Sequence, residues 1–469
     1  MTDRLSALDV TFLYLEGPTT PMHVGGVAIF RPPKGFDYDR LVSLVDQRMA
    51  LVPRYRQTVR HVPGHLAKPV WVDAQDFDIG YHVRRSALPR PGSRGQLAEL
   101  VARLMSRRLD RSRPLWEMYF VEGLEDGQLA VITKTHQALV DGVSAVDIGQ
   151  VILDVAKTPR EVPEQPWEPR RGPGAVGLLA GAVTELVRRP SAVVDTLRLG
   201  MLDATATASS VAGAAVGLLA AVRTAARPAP ESPLNVTIGE QRRFAMARTN
   251  LADFKRIRAT HGGTINDAML ATVAGALRSW LLTRGEPVRS SSAIRAMVPV
   301  SVRAEGTDPD ADEASAAAAN RVSTYLVDLP VGEPNPVIRL HQVSFAMQAH
   351  ADAGQSVGAA ALIRVSGFAP PTLHALGAKA ANGLSRRLFN LVITNVPGPQ
   401  YPLYAAGARM TEVYPVVPLA RGQALALGIT SYDGGAFFGF NADRDAMSDV
   451  DVIADLVVES LAELVGTTG

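Results

Sequence analysis

The chain has 469 residues, 47% hydrophobic and 20% charged, which is long enough for two or three domains with buried cores and too well mixed for a disordered or fibrous protein. With 48 Lys and Arg against 46 Asp and Glu it lacks the concentrated positive charge that phosphate backbones require, so nucleic acid is excluded as an expected partner. The absence of cysteine removes disulfides, thiolate nucleophiles and Cys-based zinc or iron–sulfur sites.

The opening stretch, MTDRLSALDVTFLYLEG, carries Asp3 and Asp9 and no basic region followed by an apolar run, so it is not read as a signal peptide and a cytoplasmic location is expected. Ser6 and Asp9 stand three apart, as in an N-terminal capping box, before VTFLYLE. MHVGGVAIF (22–30) reads as a buried strand, and helical periodicity follows at Leu41, Leu44, Val45 and Met49, then at Leu97, Leu100, Val101, Leu104 and Met105. Two strand runs flank Glu125-Asp126-Gly127, where Asp-Gly predicts a hairpin. After it, Ser144 and Asp147 are placed to cap a helix with Ile148, Val151, Ile152 and Val155 on its apolar face.

Residues 157–173, rich in proline and charge, read as a linker, and the Ala/Gly/Val/Leu-rich stretch from Gly174 to Arg227 as a helical crossover. Its apolar runs fall short of the roughly 20 residues that span a bilayer. Beyond it, Thr264 and Asp267 predict the capped start of a long helix carrying Leu270, Ala274, Leu277 and Leu281, followed by a strand at 293–302. A helix over 336–350, a strand at 388–395 and a strand pair around Asp433-Gly434-Gly435 come next, then a last helix with Val452, Ile453, Leu456, Val457 and Leu461 on one face. The expected architecture is α/β, in two halves: an N-terminal domain over 1–156, a linker and crossover over 157–235, and a C-terminal domain over 236–469.

Phosphate-binding, Rossmann and G-x-S-x-G motifs and H-E-x-x-H are absent, which removes the usual signatures of NTPases, dehydrogenases, α/β-hydrolases and zinc proteases. His61 and His65 are four apart, but Pro63-Gly64 between them reads as a turn rather than a helical metal site, and no metal or bound cofactor is expected. What remains is HQALVDG (136–142), in which a histidine at a strand end precedes an Asp-Gly turn by five residues. A general base fits such a place; so does a structural His–Asp pair.

HQALVDG resembles the HHxxxDG signature of coenzyme A-dependent acyltransferases, and its surroundings resemble the bacterial wax ester synthase/diacylglycerol acyltransferase family. The likeness is carried in order by LDVTFLYLE and PMHVGG, RPLWEMYFVEGL (113–124), HQALVDG, TINDAMLATVAGALRSWL (264–281), MVPVSVR (297–303), NRVSTYLVDLP (320–330), TNVPGP (394–399) and SYDGGAFFG (431–439). The resemblance implies two chloramphenicol-acetyltransferase-like domains with mixed sheets and an active site between them. There a diacylglycerol or long-chain alcohol attacks long-chain acyl-CoA, the co-substrate, to give triacylglycerol or wax ester without an acyl-enzyme. It also implies roles for His136, Gln137, Asp141 and Gly142 in the catalytic motif. Arg303 is the expected partner of Asp141, and Asn266 with Asp267 either supports the site or caps a helix. Thr394 and Asn395 are read as oxyanion donors or as a strand end, and Trp116 as an acyl-channel wall or a core residue. Substrates of this kind imply peripheral attachment to a membrane or lipid-droplet surface, for which the Gly174–Arg227 stretch is the candidate.

The family's base is the second histidine of its motif, and this chain has Gln137 there. A carboxamide orients a hydroxyl but is far too weak a base to take its proton near pH 7, and general-base catalysis is typically worth about 10² to 10⁴ in rate. If the backbone at 136 and 137 is extended, the two side chains face opposite ways and His136 does not replace the missing base. Three readings stay open: a slow acyltransferase working by positioning and oxyanion stabilisation, one with a base elsewhere, and a non-catalytic lipid- or acyl-CoA-binding paralogue.

Overall fold

Two six-stranded mixed sheets, each backed by helices, organise the computed structural model, which describes residues 3–63, 67–140, 148–162, 167–174, 176–178, 228–303, 320–352 and 388–469. In chain order the first half supplies β1 (Asp3–Arg4), α1 (Ala7–Leu15), β2 (His23–Arg31), α2 (Tyr38–Arg48), β3 (Gln57–Arg60), β4 (Val70–Asp73), α3 (Ile79–His82), β5 (Val83–Ala87), α4 (Arg94–Ser106), β6 (Trp116–Glu122), β7 (Leu129–His136), α5 (Gln137–Val140) and α6 (Ile148–Val151). The second supplies β8 (Arg242–Asn250), α7 (Leu251–His261), α8 (Ile265–Thr283), β9 (Ile294–Arg303), β10 (Asn320–Leu329), α9 (Pro336–Asp352), β11 (Leu391–Pro397), β12 (Tyr404–Ala405), β13 (Ala408–Val416), β14 (Leu425–Tyr432), β15 (Gly435–Asp443) and α10 (Val450–Gly466).

Local chemistry sets the element starts. The Ser6 hydroxyl accepts from the Asp9 N–H while the Asp9 carboxylate accepts from the Ser6 N–H, closing the capping box of α1. Thr264 and Asp267 do the same for α8, whose apolar face is buried over Leu270, Ala274, Leu277 and Leu281. At the β6–β7 hairpin, Asp126 (φ 59°) and Gly127 (φ 65°) take the left-handed conformation that a tight turn asks for.

One sheet runs β12-β13-β2-β7-β6-β5 and the other β10-β9-β11-β14-β15-β8, with β1-β4-β3 beside them. The first sheet therefore takes two strands from the C-terminal part of the chain: β13 pairs antiparallel with β2, although β11 and β14, which flank the β12–β13 pair in the chain, belong to the other sheet. Its strictly alternating burial suits a strand with one face on a core.

Two predicted helix faces differ from those observed. α6 ends at Val151 and Val155 is 69% exposed, because Asp154 turns back to form a bridge with Tyr404 and an ion pair with Arg48; Ser144 and Asp147 lie outside the described residues. In α10 the buried arc is Val450, Ile453, Ala454, Val457, Leu461 and Leu464, which leaves Val452, about 100° round from Ile453, 40% exposed. The crossover expected over Gly174–Arg227 lies outside the described residues except for 174 and 176–178.

Candidate active site

β7 ends at His136, and the chain turns at once into α5. The His136 N–H donates to the Leu115 carbonyl and the Gln137 N–H to the Met22 carbonyl, each at 2.9 Å, so the neighbouring segments pin this corner. The extended geometry considered for 136–137 is therefore not present, since Gln137 is the first helical residue. His136 nonetheless turns inward. It is completely buried, and its Nδ1 accepts the Ala138 N–H at 3.0 Å. That contact makes the neutral ring the Nε2–H tautomer. Burial pushes its pKa down to about 4, Glu16 acting in the opposite direction and Arg111 and Arg108 adding to the fall. Gln137 is half-buried beside it. Asp141 and Gly142 lie outside the described residues; Arg303 closes β9, and its expected pairing with Asp141 is likewise outside them.

A second polar cluster forms where α8 begins and β11 ends. Asn395 donates through Nδ2 to the Asn266 carboxamide oxygen at 2.9 Å, which joins two residues that sequence reading treated separately. Asp267 is committed to its cap and also accepts from the Ser344 hydroxyl at 3.1 Å. Asn395 spends one of its N–H groups on Asn266, whereas Thr394, half-buried, stands on the other face of the strand.

β13 is the seam between the two clusters. Its Pro415 and Val416 lie opposite Gly26 and Gly25, which lie opposite Thr133 and Lys134, while His23 is the partner of His136. On its other side Pro415 presses on β14 and β15: a Cβ at Gly439 would stand 2.0 Å from the Pro415 carbonyl oxygen, so only glycine admits this approach. Pro415 also meets Gly428, the residue paired with Thr394. Two strands, β14 and β13, thus lie between Thr394 on β11 and the β2–β7 pair that ends in His136.

Trp116 is fully buried and stacks on His82 at 4.7 Å, with Nε1 donating to the Tyr55 carbonyl at 2.8 Å, which places it in the core of the first half. Sequence reading missed the charged groups around the corner. Glu16, with its side chain 1% exposed, accepts from Arg111 Nε at 2.7 Å and Arg108 Nη2 at 3.2 Å. Arg48, 1% exposed, pairs with Asp154 at 2.7 Å and donates to the Val151 carbonyl at 2.8 Å, anchoring the segment that follows the HQALVDG motif in the chain. Their available signal was a lone acid closing an apolar helix and an arginine inside an otherwise apolar face.

The family model for the wax ester synthase/diacylglycerol acyltransferase catalytic domain matches residues 5–269, and that for the WS/DGAT C-terminal domain matches 318–465. The probable diacylglycerol O-acyltransferase tgs3 of Mycobacterium tuberculosis is 48% identical over 263 residues, 56% of this chain and 97% of the relative. The probable diacylglycerol O-acyltransferase tgs1 of the same species is 34% identical over 472 residues, covering 99% of this chain and 96% of the relative. Among solved structures, the wax ester synthase/diacylglycerol acyltransferase from Marinobacter aquaeolei VT8 aligns with a TM-score of 0.70 at 28% identity over 99% of this chain and 100% of that one. The starter condensation domain of rhizomide synthetase and the first condensation domain of the calcium-dependent antibiotic synthetase, at 13% and 15% identity with TM-scores of 0.54 and 0.56, share the fold alone.

Proposed function

Because the chain belongs to the wax ester synthase/diacylglycerol acyltransferase family, we propose that it is an acyl-CoA-dependent O-acyltransferase that makes triacylglycerol or wax ester, slowed by Gln137 at the position of the family's base. The observation that carries this reading is the β7–α5 corner, which is built to hold a side chain at 137 while His136 is spent on the backbone. In the proposed reaction the alcohol oxygen attacks the thioester carbonyl, the C–S bond breaks, and the alcohol's proton ends on the departing thiolate. The balance closes without a co-reactant.

Gln137 orients the hydroxyl by accepting its hydrogen bond, and the missing proton transfer is the cost. Thr394 is the oxyanion donor of the other half, with Asn395 and Asn266 supporting its strand, and Asp141 with Arg303 shaping the loop. Halves 1–156 and 236–469 form the two sides of the site. Among the described residues no helix is long and apolar enough to cross a membrane, and access to insoluble substrates is assigned to peripheral contact with a lipid surface. Gln137 also favours a second reading, a paralogue that binds acyl-CoA or lipid without turning it over. Purified protein incubated with radiolabelled palmitoyl-CoA and diolein, or hexadecanol, separates the two. Labelled triacylglycerol or wax ester supports the enzyme; retention of palmitoyl-CoA with no ester above the no-protein rate, from either acceptor, overturns it.

A further inference from the structure

Arg242 opens β8, the edge strand of the second sheet, and its side chain is 2% exposed. A guanidinium hidden to that degree needs protein acceptors, and this one finds them in two directions. Nη1 donates to the Gly239 carbonyl at 2.9 Å and to the Gln241 carbonyl at 3.0 Å, inside the second half, with Asp443 Oδ2 3.9 Å away. Asp443 is occupied elsewhere, since it accepts the N–H groups of Gly239 at 2.7 Å, Asp445 at 3.1 Å and Ala446 at 2.9 Å. Nη2 crosses to the first half and donates to the Thr19 carbonyl. The Arg242 N–H crosses as well, donating at 2.9 Å to the hydroxyl of Ser106, the last residue of α4.

Both crossings end on supports of the β7–α5 corner. Thr19 belongs to the short loop between α1 and β2, in which Gly17 and Thr20 exchange two backbone hydrogen bonds at 3.2 Å, and Pro18 and Pro21 fix their own φ. Three residues further on, the Met22 carbonyl accepts the Gln137 N–H. Beside Ser106, the Met105 carbonyl accepts from His23 Nε2 at 2.9 Å, and His23 is the strand partner of His136. We infer that Arg242 is a positioning residue of the acyl-transfer site: by tying the Thr19 loop and the end of α4 to the second half, it sets where Gln137 stands relative to the groups that the second half contributes. The tie between the halves rests on these contacts alone; its part in turnover rests on the acyltransferase reading above. Lysine does not replace arginine here. Its ammonium is a point donor on a flexible stem, whereas the planar fork serves Gly239 and Thr19 at once.

The test uses the full-length protein and compares Arg242→Met and Arg242→Lys with Arg339→Met. Arg339 is the matched control: its side chain is also 2% exposed, and it donates to the Glu333 carbonyl at 3.0 Å and the Glu463 carboxylate at 2.9 Å, both within the second half. Amide hydrogen exchange is read by mass spectrometry on peptides spanning 17–24 and 132–140. In the Arg242 variants these peptides are expected to exchange at least about fivefold faster than in the wild type, and in Arg339→Met to match it. Arg242→Lys keeps the charge and carries the test if the methionine variant does not fold. With palmitoyl-CoA and diolein, kcat of Arg242→Lys is expected to fall roughly 10- to 100-fold, as displacement of a reacting group does, with KM for palmitoyl-CoA held within about threefold. Unchanged exchange of both peptides in a folded Arg242 variant overturns the inference, as does faster exchange that leaves kcat intact, or equal acceleration in Arg339→Met. Faster exchange in the Arg242 variants alone, when no protein forms ester, supports the tie between the halves and overturns the acyltransferase reading instead.

Discussion

Replacing Arg48 with methionine is expected to destabilise the first half by about 3–5 kcal/mol, the range for removing one partner of a buried ion pair. The structure accounts for that size. Arg48 is 1% exposed and makes two short charge-assisted bonds, 2.7 Å to Asp154 and 2.8 Å to the Val151 carbonyl, with a longer third at 3.4 Å to the Arg160 carbonyl; the short ones are each worth about 1.5–3 kcal/mol. Methionine fills similar volume but leaves Asp154, 6% exposed, with Arg160 alone, whose Nε stands 3.7 Å away and whose side chain is 54% exposed. Removing both charges, as Arg48→Met with Asp154→Leu, takes away the stranded carboxylate. The double variant should therefore be more stable than the sum of the single losses by at least about 1 kcal/mol. Guanidinium unfolding followed by circular dichroism and by tryptophan fluorescence measures this, since Trp71, Trp116 and Trp167 all report on the first half. A single-variant loss below about 1 kcal/mol, or strictly additive losses, would refute the view that this pair anchors the segment following the HQALVDG motif.

Acid should act through buried histidines. His82 and His136 have pKa values lowered to about 4 from an ordinary 6.5, in each case mainly by burial, so the unfolded chain binds more protons between those values. Stability is then fully present above about pH 6.5 and is lost as pH falls toward 4, by up to roughly 3 kcal/mol for each ring; a guanidinium midpoint flat from pH 7 to 4 would contradict this, and His82→Gln should reduce the slope. Trp116→Phe is expected to cost about 1–3 kcal/mol, mainly by stranding the Tyr55 carbonyl, and to leave the preference among C12, C16 and C18 acyl-CoAs unchanged; a shifted chain-length profile would return Trp116 to the acyl channel. Asn266→Ala and Asn395→Ala should each lower kcat/KM, and the double variant should lower it no further than the worse single, as measured in a double-mutant cycle; additive losses would separate the two residues.

The readable features were the local ones. Capping boxes at Ser6 and Thr264 are decided within four residues, and the Asp126-Gly127 turn within two, so periodicity and turn chemistry were enough to place α1, α8 and the β6–β7 hairpin. The pairing of β13 with β2 was not readable, because an alternating strand announces one buried face but not the sheet that will cover it. Val155 failed as a helix-face residue for a similar reason: its periodicity was sound, but a distant arginine and Tyr404 drew Asp154 out of the helix. At the site, ordered motifs located the β7–α5 corner and position 137. The partner that decides what His136 can do, the Ala138 N–H, depends on how the strand turns.

The central claim is that position 137 sets the rate of acyl transfer. Initial rates of triacylglycerol formation from palmitoyl-CoA and diolein, compared between the wild type and Gln137→His, test it most directly. Slow turnover by the wild type and a rise of about 10² to 10⁴ in kcat/KM on restoring the imidazole are predicted. Equal rates in the two proteins, within about threefold, would contradict the account and place the proton acceptor elsewhere.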